Sequence, residues 1–153
     1  MIQGLGSKAA RYTLSMAEAI RDATGMLADL TPSLKDGEFV FCVMTSEGDL
    51  QPLRPLGLFH EAEGITLILD RATAEQNGFD TSLPMRQITL EVHSTLDGVG
   101  LTAAVASALS GAGIPCNVVA AFHHDHLFVP ADMSEAALNI LLDVQAEARH
   151  RTK

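Results

Sequence analysis

The stretch from Arg86 to Leu109 changes its hydrophobic period once, and that change limits what the chain can build. Ile88, Leu90 and Val92 alternate with Thr89, Glu91 and His93, as in a strand with one apolar face. Leu101, Ala104, Val105, Ala108 and Leu109 then recur at i, i+3, i+4, i+7 and i+8, one stripe of a helix. The turn Ser94-Thr95-Leu96-Asp97-Gly98-Val99-Gly100 joins the two, so the helix must fold back onto the strand's apolar face. Gly111 and Gly113 end the helix. Ile114 to Ala121 reads as a strand, Leu127 to Val129 as another, and His123-His124-Asp125 as the turn between them. Asp132 with Glu135 three residues on predicts a capping-box start for a last helix, whose apolar face is Ala137, Ile140, Leu141, Val144 and Ala148. The order is β-α-β-β-α.

The first half carries a reduced version of the same order. Met16, Ala19, Ile20, Ala23, Leu27 and Leu30 predict a helix that Thr31-Pro32 ends. Glu38 to Thr45 is rich in β-branched and aromatic residues and predicts a buried strand. A loop with Pro52 and Pro55 stands where a helix would follow. Leu56 to His60 and Ile65 to Leu69 flank Glu61-Ala62-Glu63-Gly64 and predict a hairpin with Gly at its turn. Asp70 caps a short helix that Asn77-Gly78 stops. Phe59-His60 and Phe122-His123 fall at matching places before the two hairpin turns, a weak internal repeat. Each half matches most of a split βαβ unit without a clear fourth strand. The N-terminal segment, sharing between the halves, or a second subunit is expected to complete the sheets.

Charge narrows the choice of partners. The net charge is −9, and no Lys or Arg occurs between Arg86 and Arg149. Nucleic acids and anionic membranes are held by cations, so neither is an expected partner. No apolar run approaches the about 20 residues that span a bilayer. Residues 1–15 carry Lys8 and Arg11 with no apolar stretch after them; they read as a flexible leader, not a secretory signal. Cys42 and Cys116 lie in apolar segments and read as buried reduced thiols, which agrees with a cytoplasmic protein.

The segment Leu90 to Leu101, the helix to Leu109 and Gly113-Ile-Pro-Cys-Asn-Val118 resemble the ACT domain. Leu34 to Phe41, Phe59 to Leu67 and His123 to Pro130 extend the resemblance to a small bacterial tandem-ACT protein over roughly residues 25–149. The resemblance implies an α+β fold of tandem ferredoxin-like βαββαβ modules, an antiparallel sheet with helices on one face. It places a degenerate module at 16–84 and a fuller one at 85–153. It also implies a non-catalytic regulatory protein, a homodimer without a cofactor, that binds a small molecule, commonly an amino acid. The ligand positions carried over are Ser94, Leu96, Asp97, Gly98, Val99 and Gly100 in the turn, with Asn117 and Val118 at the start of the second strand. The first module lacks its first helix, so one half-site per chain is expected and a two-fold partner supplies the other.

The residues themselves leave alternatives open. A helix start offers unpaired N–H groups and a positive dipole end suited to a carboxylate, and Asp97 or Glu91 suits an ammonium. The same turn also serves as a plain helix cap. Asn117 either meets a ligand or satisfies a neighbouring strand end. His123, His124 and His126 with Asp125 are of metal-ligating type, yet consecutive residues of an extended chain point to opposite sides, and polar residues are ordinary in a hairpin turn. No nucleophile elbow, phosphate-binding loop or dinucleotide fingerprint is present. Besides a ligand-binding regulator, a ligand-free dimerisation module and a small metal-dependent enzyme built on the His-rich hairpin remain open.

Overall fold

The computed structural model describes residues 24–45, 48, 50–92 and 100–153. The leader 1–15, most of the expected helix from Met16, His93 and the turn residues Ser94 to Val99 lie outside the described residues.

Residues 24–29 are helical and lead into strand β1, Thr31–Leu34. Strand β2 is Phe39–Met44, β3 Gly57–Glu61 and β4 Gly64–Asp70, followed by the short helix α1, Arg71–Gln76. Strand β5 is Met85–Glu91, helix α2 Leu101–Gly111, β6 Asn117–Ala120, β7 Asp125–Pro130 and helix α3 Ser134–Arg151. The strands form one seven-stranded sheet in the order β3-β4-β2-β5-β7-β6, with β1 also paired to β5. All pairings are antiparallel. This is the expected α+β fold, an antiparallel sheet carrying ferredoxin-like units in tandem.

Strand β5 joins the two halves. Met85 to Leu90 pair with β7 on one side. On the other side its first residue, Met85, pairs with Phe39 of β2, and Ile88 to Glu91 pair with β1. The missing fourth strand of the C-terminal unit is therefore β1, which comes from the N-terminal segment. Thr31-Pro32 ends the helix as expected and also opens a strand. Pro32 fits because of register. Lys35 N donates to Gln87 O at 2.8 Å, and bonded pairs alternate along an antiparallel ladder. Ser33 thus falls at a bonded pair and Pro32, opposite Leu90, at a non-bonded one, where a missing N–H costs nothing.

The helices cover one face of the sheet. Ile88, Leu90, Val92, Leu127 and Val129 pack against Leu101, Val105 and Leu109 of α2 and Ala137, Leu141 and Ala148 of α3. A smaller core joins Val40, Cys42, Leu67 and Leu69 to Ala74 of α1 and Leu53 of the loop that stands in for a helix. The opposite face has its own apolar centre at Ile68, Met85 and Phe128, where the Phe39 and Phe41 rings meet Phe128 edge-on at 6.1 and 5.4 Å.

Local signals perform unevenly. Asp70 Oδ1 accepts from Thr73 N at 3.2 Å as the expected cap, and Asn77 and Gly78 end α1. The capping box of the last helix does not form. Asp132 sits in a 3-10 turn, Ala131–Met133, and α3 starts at Ser134 with no side-chain cap. Ser134 Oγ instead donates to Ala131 O. The strand expected from Ile114 begins only at Asn117. The two hairpins also differ: Phe59 and His60 lie within β3, whereas Phe122 and His123 lie in the turn between β6 and β7.

Candidate functional site

Helix α2 starts at Gly100, whose φ of 102° is left-handed and strains any residue with a Cβ. Among the described residues no side chain caps this helix, and the first-turn N–H groups of a helix have no partner within it. Acidic residues are absent from that first turn, so a bound anion would meet no repulsion from it.

Asn117 and Val118 lie at the far end of the same unit. Strands β5 and β6 both pair antiparallel to β7, so they run in the same direction. The start of β6 therefore lies beside the start of β5, and Gly100 follows the end of β5. Within one chain the structure separates Gly100 from Asn117 and Val118. Asn117 is exposed on the sheet's edge strand, so its amide needs no protein partner, and Val118 packs toward the α2–α3 core. Ser94, Leu96, Asp97, Gly98 and Val99 lie outside the described residues.

The end of β5 borders a cleft of about 440 Å³ lined by Asp29, Thr31, Glu91, Val92 and His124. Glu91 Oε1 accepts from Lys35 Nζ at 2.8 Å, and that bond and charge hold the carboxyl below its ordinary range. Lys35 Nζ also donates to Ser33 Oγ at 3.0 Å. His124 Nδ1 is buried and has no hydrogen-bond partner among the described residues.

The three hairpin histidines have separate roles. His123 stacks edge-on against the exposed Phe122 ring, and its own ring centre is 6.4 Å from that of His124. His126 Nδ1 lies 3.0 Å from Gln87 Nε2 and 3.1 Å from Thr89 Oγ1. The amide N–H donates, so Nδ1 is the acceptor and the imidazole is neutral, with its proton on Nε2. Burial, and then the neighbouring His124, keep His126 below the usual histidine range. Among the described residues no group of three or more His, Cys, Asp or Glu is placed to hold a metal. Cys42 is buried and Cys116 half-buried, and burial raises both thiols. Neither is poised as a nucleophile.

Of the cleft's walls, sequence reasoning singled out Glu91 and missed Asp29 and Thr31: Asp29 precedes and Thr31 opens a strand that the sequence did not reveal, and His124 was weighed only for metal.

Family models described as ACT domain match residues 18–86 and 82–143 in tandem. The chain belongs to the ACT domain family. Comparison with curated proteins gives no match. Among solved structures, a protein of unknown function from Vibrio cholerae, described as a possible transport protein, is 38% identical. The match covers 83% of this chain and 98% of that one, with a TM-score of 0.76. A protein from Agrobacterium tumefaciens is 20% identical over 76% of this chain and 89% of its own, with a TM-score of 0.60. The regulatory subunit of aspartate kinase from Thermus thermophilus, in a ligand-free form, is 10% identical, covers 76% of this chain and 97% of its own, and has a TM-score of 0.57. The last two likenesses concern the fold. No helix of the described residues is long and apolar enough to cross a membrane.

Proposed function

We propose that this ACT protein is a non-catalytic, cytoplasmic regulator that binds a small molecule, an amino acid, as a homodimer. The observation that carries the reading is the start of α2: a left-handed Gly100 and a first turn with no side-chain cap among the described residues. A ligand carboxylate suits those N–H groups, since a helix start combines free donors with the positive end of the dipole. Ser94 to Gly100 form one half of the site in this reading. Asn117 and Val118 of a two-fold partner form the other, in keeping with their separation within one chain. The modules are 16–84 and 85–153, with 1–15 as a leader and β1 lent from the first to the second. The aspartate kinase regulatory subunit, similar in fold, supports a regulatory role.

A thermal-shift screen of the twenty amino acids tests this. A ligand at 100 times its Kd adds about 2.7 kcal/mol of stability. Gly100→Asp, which places a carboxylate where the ligand's would sit, should abolish the shift. Flat melting curves with every amino acid at millimolar concentration would reject the proposal.

The sheet face that carries none of the described helices favours a second reading, a ligand-free interaction module. Phe41, Val43 and Phe59 are 38%, 53% and 44% exposed there. Register puts Phe41 beside Ile68, and Val43 and Phe59 on either side of Thr66, so all three share that face. This reading predicts a dimer by light scattering that Phe59→Ser weakens and that no amino acid perturbs.

A further inference from the structure

Gln87 and Thr89 of β5 are 8% and 3% exposed, and their side chains converge on one ring nitrogen of His126. Register explains the meeting. Thr89 lies opposite His126 and Gln87 opposite Phe128 of β7, so all four share the sheet face that carries none of the described helices. Phe128 is the ring that meets Phe39 and Phe41 of β2. The polar trio thus adjoins the contact between the two ACT units.

These hydrogen bonds suit one protonation state. A neutral imidazole has one acceptor nitrogen, and here Nδ1 faces the Gln87 amide nitrogen at 3.0 Å. A protonated imidazole has two donors and no acceptor. Its Nδ1–H would confront the Gln87 N–H groups, donor against donor. Water cannot stand in for the lost partner of a buried amide, and an unmade hydrogen bond there is costly. Both neighbours can reverse their sense. The Thr89 hydroxyl, 3.1 Å from Nδ1, changes from donor to acceptor by rotating its hydrogen. The Gln87 amide carries an acceptor on the same planar group. A half-turn about its last side-chain bond, a soft torsion, presents that oxygen and leaves the stem in place.

The surrounding charges oppose one another. Burial first, and then His124 and Lys35, disfavour a proton on the His126 ring, while Asp125 favours it. Glu91, on the same face of β5, is bound to Lys35 at 2.8 Å. Strand β1 sets the uncharged Ser33 beside Thr89, and β6 sets the uncharged Asn117 and Val119 beside Phe128 and His126.

We propose that His126 and Gln87 form a two-position proton switch beside the contact between the two units. With the ring neutral, the amide donates to Nδ1. With the ring protonated, the amide is turned and its Oε1 accepts from Nδ1–H. Each state has a complete hydrogen bond, which is what gives a buried group two stable arrangements and lets a proton choose between them. No ligand takes part, so a failed amino-acid screen leaves the proposal standing.

The test is NMR on the full isotopically labelled chain, from pH 8 to the acid side of the His126 titration. At pH 8 the ring should be the Nε2–H tautomer, with a scalar coupling across the hydrogen bond from Gln87 Nε2 to His126 Nδ1. In acid that coupling should vanish. An Nδ1–H signal protected from exchange with water should replace it, coupled to the Gln87 side-chain carbonyl carbon. The Gln87 amide signals should share the imidazole midpoint and stay constant in His126→Gln. Absence of the coupling at pH 8 would overturn the proposal. So would an Nδ1–H that exchanges freely in acid, because the ring would then have left its partners. Unfolding of the parent chain before the ring titrates would overturn it too. If His126→Gln fails to fold, the two couplings in the parent chain decide.

Discussion

His126 shows how one side chain ties pH to stability. Its Nδ1 accepts from the Gln87 amide and lies 3.1 Å from Thr89 Oγ1, and burial keeps the folded value below the ordinary histidine value of about 6.5. Below that ordinary value the unfolded chain binds the proton that the folded chain resists. The contribution is therefore complete above about pH 6.5 and is lost as pH falls. Urea melts between pH 7.5 and 5 should show falling stability, with a shallower slope in His126→Gln. Gly64 is a second residue under local constraint. Its φ is +149°, and an added Cβ would meet Met44 O at 2.7 Å. Gly64→Ala should cost about 1–3 kcal/mol by urea denaturation, because both the backbone and the neighbouring carbonyl resist it. The turn glycine was visible in the sequence; the close carbonyl was not, since it belongs to β2.

At the scale of elements, β1 separates local from tertiary signals. Thr31-Pro32-Ser33-Leu34 has neither the length nor the pattern to declare a strand. Pairing with β5 makes it one, and Pro32 is tolerated only because it falls between bonded pairs. Ser33→Pro moves the same ring to a bonded pair and should cost about 1–3 kcal/mol through a lost donor and an unpaired acceptor. Hydrogen exchange checks the position: the Thr89 amide should lose protection in Ser33→Pro and keep it in Pro32→Ala. By contrast, α2 was legible from its own stripe of Leu101, Val105 and Leu109, all buried as the spacing requires. The polar side of β5 was misleading. Gln87 and Thr89 alternate as solvent-facing residues would, yet both are buried, because β7 brings His126 over them.

Besides β5, the two units meet across the sheet face that carries none of the described helices. Phe128 of β7 is 1% exposed and meets Phe39 and Phe41 of β2, so one ring joins both ACT units. Phe128→Ala should cost about 3–5 kcal/mol, the range for a buried aromatic, as read from urea unfolding. If this ring couples the units, the variant should also unfold over a broader transition than the parent chain. Charge acts at the same scale. The stretch without Lys or Arg lies in the C-terminal unit, and Glu91 at the end of β5 takes its countercharge from Lys35 of the N-terminal segment.

Hydrophobic period and turn residues suffice for the order of elements from β5 to α3, the first hairpin and the Gly100 helix start. Those signals depend on residues within a turn or two of one another. The origin of the fourth strand, the burial of Gln87 and Thr89, the exposure of Asn117 and the meeting of Asp29 with Glu91 and His124 are tertiary outcomes. Each depends on which strand lies beside β5 and what lies over it, and those neighbours come from distant parts of the chain.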